Sequence, residues 1–362
     1  MKLTKPTLII NKEQVIANIE KMAGKARSHN LFFRPHFKTH QSKMIGELFR
    51  DAGVTGITVS SVEMAEYFRE AGWQNITIAF PCNILEVDKI NRIAKECDLK
   101  ILIVNKEAVH FLQERLTNKV SFLIEIDNGY HRTGIDAYEL DRIDEILQVA
   151  KGNELLEFKG FLTHSGNSYL AQSKAELKLI HQETLKQMEV LKKHYCDKFP
   201  DLITSLGDTP CCSVLDDFGS IDEIRPGNFV FYDLMQEQIG SCEIYEIAIA
   251  LACPVVAKNA DRLDIAIYGG AIHLSKEFIL EGAGNKVFGK VVLFDENSWS
   301  EPVAETSVVS LSQEHGIIRA SKWFFDQVKI GDVLGILPVH SCLTANLMRK
   351  YVALDGLNID HL

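Results

Sequence analysis

Lys38 stands in the run Arg34-Pro35-His36-Phe37-Lys38-Thr39-His40, an amine set between two histidines and a phenylalanine. Desolvation can lower the pKa of such a lysine, and an uncharged lysine can form a Schiff base. From position alone, a surface lysine opening a helix reads the same way. Toward the other end, His340 and Cys342 lie two apart in Pro338-Val339-His340-Ser341-Cys342-Leu343-Thr344-Ala345-Asn346-Leu347. In an extended segment, residues two apart share a side. One imidazole nitrogen and one sulfur would then face a common point, a mixture that suits Zn²⁺. Two protein ligands fit an open site completed by water or substrate. A buried thiol beside a hydrogen-bonded histidine has the same spacing.

Four further runs carry chemistry-bearing types. Arg132, in His131-Arg132-Thr133-Gly134, offers a cation to an anionic group, or to a helix-start ion pair. His164 and Tyr169 share Thr163-His164-Ser165-Gly166-Asn167-Ser168-Tyr169, where a hydrogen-bonded core histidine is the alternative. In Ser205-Leu206-Gly207-Asp208-Thr209-Pro210 a glycine allows close backbone approach, and N–H groups before a short helix bind anions. Gly-x-Thr turns are also common in ordinary loops. Beside a phosphate, Asp208 is expected to contribute its backbone and turn its carboxylate away. Arg225-Pro226-Gly227-Asn228-Phe229-Val230-Phe231-Tyr232-Asp233 supplies an arginine and a tyrosine, the latter equally readable as a rim aromatic.

These runs end strand-like segments. Apolar stretches recur at Leu31–Lys38, Gly56–Ser60, Ile76–Phe80, Lys100–Asn105, Val120–Asp127, Glu157–His164, Leu202–Gly207 and Asp222–Tyr232. Helical pattern fills most intervals, with Ser61 and Ser168 as expected helix starts and Gly53 and Gly72 as expected ends. Eight strands alternating with helices predict an α/β fold, a (β/α)8 TIM-type barrel with catalytic groups at the C-terminal strand ends. Periodicity alone also admits a doubly wound sheet. After Asp233 short strand-like runs punctuated by Gly and Pro predict a C-terminal β-rich domain. The expected division is a barrel over 1–235 and a β-rich domain over 236–362, with the N-terminal segment able to join the latter.

The 362 residues, 46% apolar, can bury a sizeable core. Thirty-nine basic against 49 acidic residues give a net charge of −10, which argues against nucleic acid and anionic membrane surfaces. No stretch has the length of a membrane span. The start lacks an apolar signal core, and the eight cysteines follow no zinc-finger or disulfide spacing, so a reduced cytoplasm is expected.

Arg34-Pro35-His36-Phe37-Lys38-Thr39-His40 closely resembles the RPHxKTH segment of the D-threonine aldolase and D-serine dehydratase family, fold-type III pyridoxal-phosphate relatives of alanine racemase. His131–Gly134 looks like the family's HRTG, and Thr163–Tyr169 like its histidine-bearing segment. Ser205–Pro210 is similar to its G-S-T-P phosphate loop, with Asp208 in place of the usual serine. Arg225–Tyr232 looks like the RPG-x-x-x-Y of alanine racemase, and Pro338–Leu347 like P-x-H-x-C/D-x-T-x-N-L. Ser312-Gln313-Glu314-His315-Gly316 resembles S-x-E-H-G, without an assigned role. The stretch Tyr268–Lys276 departs from the expected D-x-G-x-K-A, and the insert-like 276–286 is unfamiliar, a departure that bears on the substrate.

The resemblance implies a Schiff-base lysine at Lys38, with His164 on the pyridine ring and Arg132 toward the phenolic oxygen or the substrate carboxylate. It places Tyr169, Gly207, Asp208, Thr209 and Tyr232 around cofactor or phosphate, and Arg225 at the ring nitrogen. It implies a divalent metal, zinc by donor type, on His340 and Cys342. Cysteine at the second ligand position leans toward dehydration of D-serine or 3-hydroxy-D-aspartate, aspartate toward D-threonine-type aldol cleavage. A racemase and a non-catalytic cofactor carrier are the other readings; the β-rich domain argues against the carrier. A homodimer is implied in which the β-domain of one copy closes the barrel mouth of the other.

Overall fold

The computed structural model describes residues 3–362. The described residues form two compact units: residues 21–38 with 49–227, and residues 3–20 with 39–48 and 228–362.

In the first unit the strands Phe32–Phe33, Ile57–Val59, Asn75–Pro81, Asp98–Ile103, Val120–Asp127, Leu156–His164, Ile203–Gly207 and Glu223–Ile224 make one parallel sheet. From Ile57–Val59 onward each pairs with the next in sequence, and the last pairs with the first. A parallel bridge between His36 and Thr58 joins the remaining two edges, with Phe37 N donating to Thr58 O at 2.8 Å and Thr58 N to Pro35 O at 2.9 Å. The sheet therefore closes into the expected barrel, and doubly wound topology is ruled out. Val120–Asp127 is buried along almost its whole length, as a parallel strand covered on both faces must be. Gly160 sits where its pairing shifts register, at φ 135°; a Cβ there would lie 1.9 Å from Ile203 O.

Two local expectations are corrected. Ser61 does cap its helix, accepting from Met64 N at 3.1 Å. The long helix, however, runs Lys174–Tyr195 and is capped by Ser173, which accepts from Glu176 N; Ser168 lies in a preceding 3₁₀ turn. The deciding signal is Ser173 with Glu176 three residues on: Ser173 Oγ accepts from Glu176 N, and the Glu176 carboxylate accepts from Gln172 N, one residue before the cap. The apolar run 222–232 is strand only at Glu223–Ile224. Pro226 removes a ladder donor, Asn228–Val230 turns as 3₁₀ helix, and Tyr232 has φ 48°.

The second unit is built on a nine-stranded sheet. Ile249–Asn259, Asp264–Tyr268, His315–Arg319, Ser307–Leu311, Gly289–Val292 and Val333–Pro338 pair in a closed ring of antiparallel strands. Thr7–Ile10 adds beside Ile249–Asn259, and Tyr351–Ala353 beside Thr7–Ile10. The unmatched segment 276–286 contributes to a small ribbon, Ile279–Glu281 against Asn285–Val287. Among the described residues no helix is long and apolar enough to cross a membrane.

Candidate active site

Within the barrel unit, Lys38 follows the bridge that closes the sheet. It is exposed while His36 and Phe37 before it are buried. The Lys38 backbone N–H donates to His36 Nδ1 at 3.4 Å, which places the His36 proton on Nε2. Burial, then the charges of Lys38, Arg225, His164 and Arg132, pushes His36 well below the ordinary histidine value.

His164, at the end of the sixth barrel strand, has Nδ1 2.6 Å from Gly207 O. A carbonyl only accepts, so Nδ1 carries the hydrogen and Nε2 the lone pair. Burial, followed by the positive charges of Lys38, Arg132 and Arg225, lowers this imidazole to about 3. His164 is therefore neutral at physiological pH. Its ring meets Tyr130 and Tyr169 with centroids at 6.2 and 6.1 Å.

The anion-loop expectation can be tested atom by atom. Thr209 N donates to the Tyr169 hydroxyl at 3.1 Å. The Thr209 hydroxyl is buried and makes no hydrogen bond among the described residues, an orphan that fits a bound phosphate oxygen. Asp208 caps the short helix Thr209–Val214: its Oδ1 accepts from Cys211 N at 2.6 Å and from Ser168 Oγ at 3.2 Å. The carboxylate is thus turned into the helix end, as its charge requires. Burial raises its pKa. Gly207 leaves room for Arg225, whose Nη1 would lie 2.8 Å from any added Cβ. Burial lowers Arg225 to about 10, which leaves it cationic at neutral pH. Arg132 is half exposed, 4.0 Å from Glu125 Oε1 and stacked over Tyr130 at 5.4 Å. Glu125 itself is buried and receives Thr133 Oγ1 at 2.9 Å. The fit to a ring-bearing phosphate cofactor rests on neutral His164, the orphan Thr209 hydroxyl and the buried Arg225 cation.

The second unit holds the metal pair, and here the expected backbone is wrong. His340 is extended (φ −133°, ψ 99°) but is the N-cap of helix Ser341–Met348, so Cys342 lies in a helix's first turn rather than two along a strand. The two side chains still hydrogen-bond. Burial pulls His340 down, but the bond to Cys342 and the sulfur's charge lift it to about 9. Burial pushes the Cys342 thiol up, but His340 brings it below its ordinary value. The Cys342 sulfur also lies 3.3 Å from Thr39 Oγ1 and 3.6 Å from Asn228 Nδ2. Asp233 orients this cluster: its Oδ2 accepts from Asn228 Nδ2 at 2.6 Å and Ser341 N at 2.8 Å. Tyr232, just before it, is buried. No set of three or more His, Cys, Asp or Glu is placed to hold a metal among the described residues. The donor pair fits an open site and not a closed structural one.

Sequence reasoning missed His36, Thr39, Asn228 and Asp233 as parts of these clusters, although each lies inside a quoted run. The Ser312–Gly316 turn receives a place: Gly269 N donates to Glu314 O at 3.0 Å and Ala271 N to Ser312 O at 2.8 Å, anchoring the short helix Ala271–Leu274. Thr344, in the helix that His340 caps, donates to Leu274 O at 3.4 Å.

The "Alanine racemase, N-terminal domain" family model matches residues 10–234. The chain belongs to the alanine racemase-like family. Across residues 248–354 this family member also matches the "Putative serine dehydratase domain". D-serine dehydratase of Dictyostelium discoideum is 28% identical over 382 residues, spanning 98% of this chain and 94% of its own length. D-threo-3-hydroxyaspartate dehydratase of Delftia sp. (strain HT23) is 27% identical, spanning 98% and 95%. A solved structure of that Delftia enzyme superposes with a TM-score of 0.91 at 24% identity, covering 99% of this chain and 98% of its own, and confirms the fold. A cysteine-to-alanine variant of the Delftia enzyme is known in a metal-free form.

Proposed function

We propose that this alanine racemase-like protein is a pyridoxal-phosphate-dependent lyase of small β-hydroxy D-amino acids, dehydrating D-serine or 3-hydroxy-D-aspartate with help from a divalent metal. The observation that carries the reading is the Thr39 hydroxyl at 3.3 Å from the Cys342 sulfur. Thr39 is thereby a hydrogen-bond partner for a metal-type ligand. Support comes also from relatives named as dehydratases that span nearly the whole chain.

Bound pyridoxal phosphate would supply a carbonyl for an amine and a conjugated ring that draws electrons from the substrate's Cα. Lys38 is the amine that would hold it and, as a free amine, the base that would take the Cα proton. Neutral His164 packs against the ring without adding charge. Tyr169, Gly207, the Asp208 backbone and Thr209 take the phosphate, with Tyr232 beside it, and Arg132 takes the substrate carboxylate or the phenolic oxygen. Arg225 would face the ring nitrogen and, as a cation that keeps its proton, would offer a hydrogen bond there without giving the proton up. His340 and Cys342 hold zinc or a similar ion, which would supply Lewis acidity at the β-hydroxyl. The β-hydroxyl leaves as water, and the enamine product, after release and tautomerisation to an imine, is hydrolysed by water to a 2-oxo acid and ammonia. The active form in this reading is a homodimer.

Product analysis on D-serine, D-threonine and the 3-hydroxy-D-aspartates tests it, with and without a chelator. Ammonia that disappears on chelation is the expected result. Glycine plus an aldehyde would replace dehydration by aldol cleavage, and chelator-insensitive L-enantiomer would make the chain a racemase. Cofactor binding with no product from any substrate would make it a carrier.

A further inference from the structure

A line of buried polar side chains runs from Arg225 through the barrel unit, and the proposed chemistry leaves it unused. Arg225 donates from Nε to Ser205 Oγ at 2.6 Å and from Nη2 to Thr163 O at 2.6 Å. The Ser205 hydroxyl has one hydrogen, and it goes to Glu223 Oε1 at 2.7 Å. A lone pair of Ser205 is therefore what Arg225 meets. Glu223 Oε2 accepts from Arg34 Nε at 2.5 Å, and Arg34 Nη1 donates to Asn75 Oδ1 at 2.7 Å. Lys100 Nζ reaches the same Asn75 oxygen at 3.3 Å and Asp98 Oδ2 at 2.6 Å.

Arg34, Ser205, Glu223 and Arg225 are each 4% exposed or less. A Cβ on Gly56 would lie 2.6 Å from Arg34 Nη1, just as one on Gly207 would press on Arg225, so both guanidinium groups lie against bare backbone. Buried charges persist only when paired and hydrogen-bonded. One carboxylate serves two buried arginines here, Arg34 directly and Arg225 through a serine hydroxyl.

We propose that Ser205 and Glu223 are positioning residues for Arg225: together they fix the rotation of its guanidinium and hold it as a cation against the ring of the bound cofactor. The inference rests on the reading of Arg225 as the partner of the ring nitrogen. Ser205→Ala removes the acceptor of Arg225 Nε and the donor to Glu223 Oε1. Glu223→Gln keeps the shape and removes the charge. Both act on the ring's electronics through Arg225, without direct chemistry of their own.

The experiment uses the full chain loaded with pyridoxal phosphate. In folded Ser205→Ala and Glu223→Gln, the visible absorption band of the lysine-bound cofactor shifts, and kcat falls about tenfold while KM moves less than about threefold. The double variant falls no further than the worse single, because both residues act along one path. Should Ser205→Ala fail to fold, Ser205→Cys, close in size and weaker in hydrogen bonding, gives the same shift at smaller amplitude. A purely packing role would lower the melting temperature and leave band and kcat as in the parent, and that result overturns the proposal. A parent chain with no lysine-bound band overturns the functional reading and this one together; a normal parent band with indifferent variants overturns this one alone.

Discussion

The Nδ1 nitrogen of His164 lies 2.6 Å from the carbonyl oxygen of Gly207. That contact fixes the tautomer, while burial and neighbouring cations keep the ring neutral, at about 3 against an ordinary 6.5. His40, buried in the other unit, is likewise lowered to about 3, by burial first and then by His361. Between these values and 6.5 the unfolded chain binds protons that the folded chain does not. The stability that these two histidines contribute is therefore complete above about 6.5 and is lost as pH falls toward 3. The melting temperature should drop as pH is lowered from about 7 to about 4, and His164→Gln should flatten that slope. A wild-type melting temperature constant over this range would contradict the assignment.

Gly207 matters for the space that it leaves. A Cβ would sit 2.8 Å from Arg225 Nη1 and 2.9 Å from its Cζ, and the arginine is buried and held by Ser205 and Thr163. Gly207→Ala should destabilise the fold by about 1–3 kcal/mol and loosen cofactor binding more than stability alone explains. Urea midpoints and cofactor titration check the two effects. Unchanged cofactor affinity would place Arg225 away from the cofactor.

The metal pair makes a prediction in metal content. His340→Ala and Cys342→Ala should each lose most bound metal by elemental analysis, while the cofactor's visible band persists. Equal metal in wild type and both variants would remove these residues as ligands.

Thr39 tests how the sulfur is supported. Thr39→Val removes the hydroxyl 3.3 Å from Cys342 Sγ at nearly constant volume. Outer hydrogen bonds to metal ligands typically change affinity roughly 10–100-fold, so chelator competition should show weaker binding in that range. Wild-type affinity would make the contact incidental.

The six strands from Ile57–Val59 to Ile203–Gly207 were legible because parallel strands buried on both faces write apolar runs, whereas the first and last shrink to Phe32–Phe33 and Glu223–Ile224; Ser61 was legible because its cap is local. The closure between His36 and Thr58 was not, since two backbone hydrogen bonds between distant residues leave no mark on composition. The helix start at His340 was missed because a two-residue spacing satisfies either a strand or a first helical turn. The grouping of residues 39–48 with the β-rich unit has no compositional signal either. It is made by contacts such as Asp360 Oδ1 with Ser42 Oγ at 2.8 Å and Tyr351 OH with His40 O at 2.6 Å, more than 300 positions apart in sequence. Lys38, His164, Arg225, His340 and Cys342 were readable as chemistry-bearing types. Ser205 and Glu223 were not, because a serine and a glutamate inside apolar strands announce no function until their partners are seen.

The central claim is that Lys38 carries the cofactor. Borohydride reduction of the protein loaded with pyridoxal phosphate, followed by peptide mass mapping, tests it most directly. The account predicts one pyridoxyl adduct on the peptide containing Lys38, absent from Lys38→Ala. An adduct on another lysine, or none on any, would contradict it.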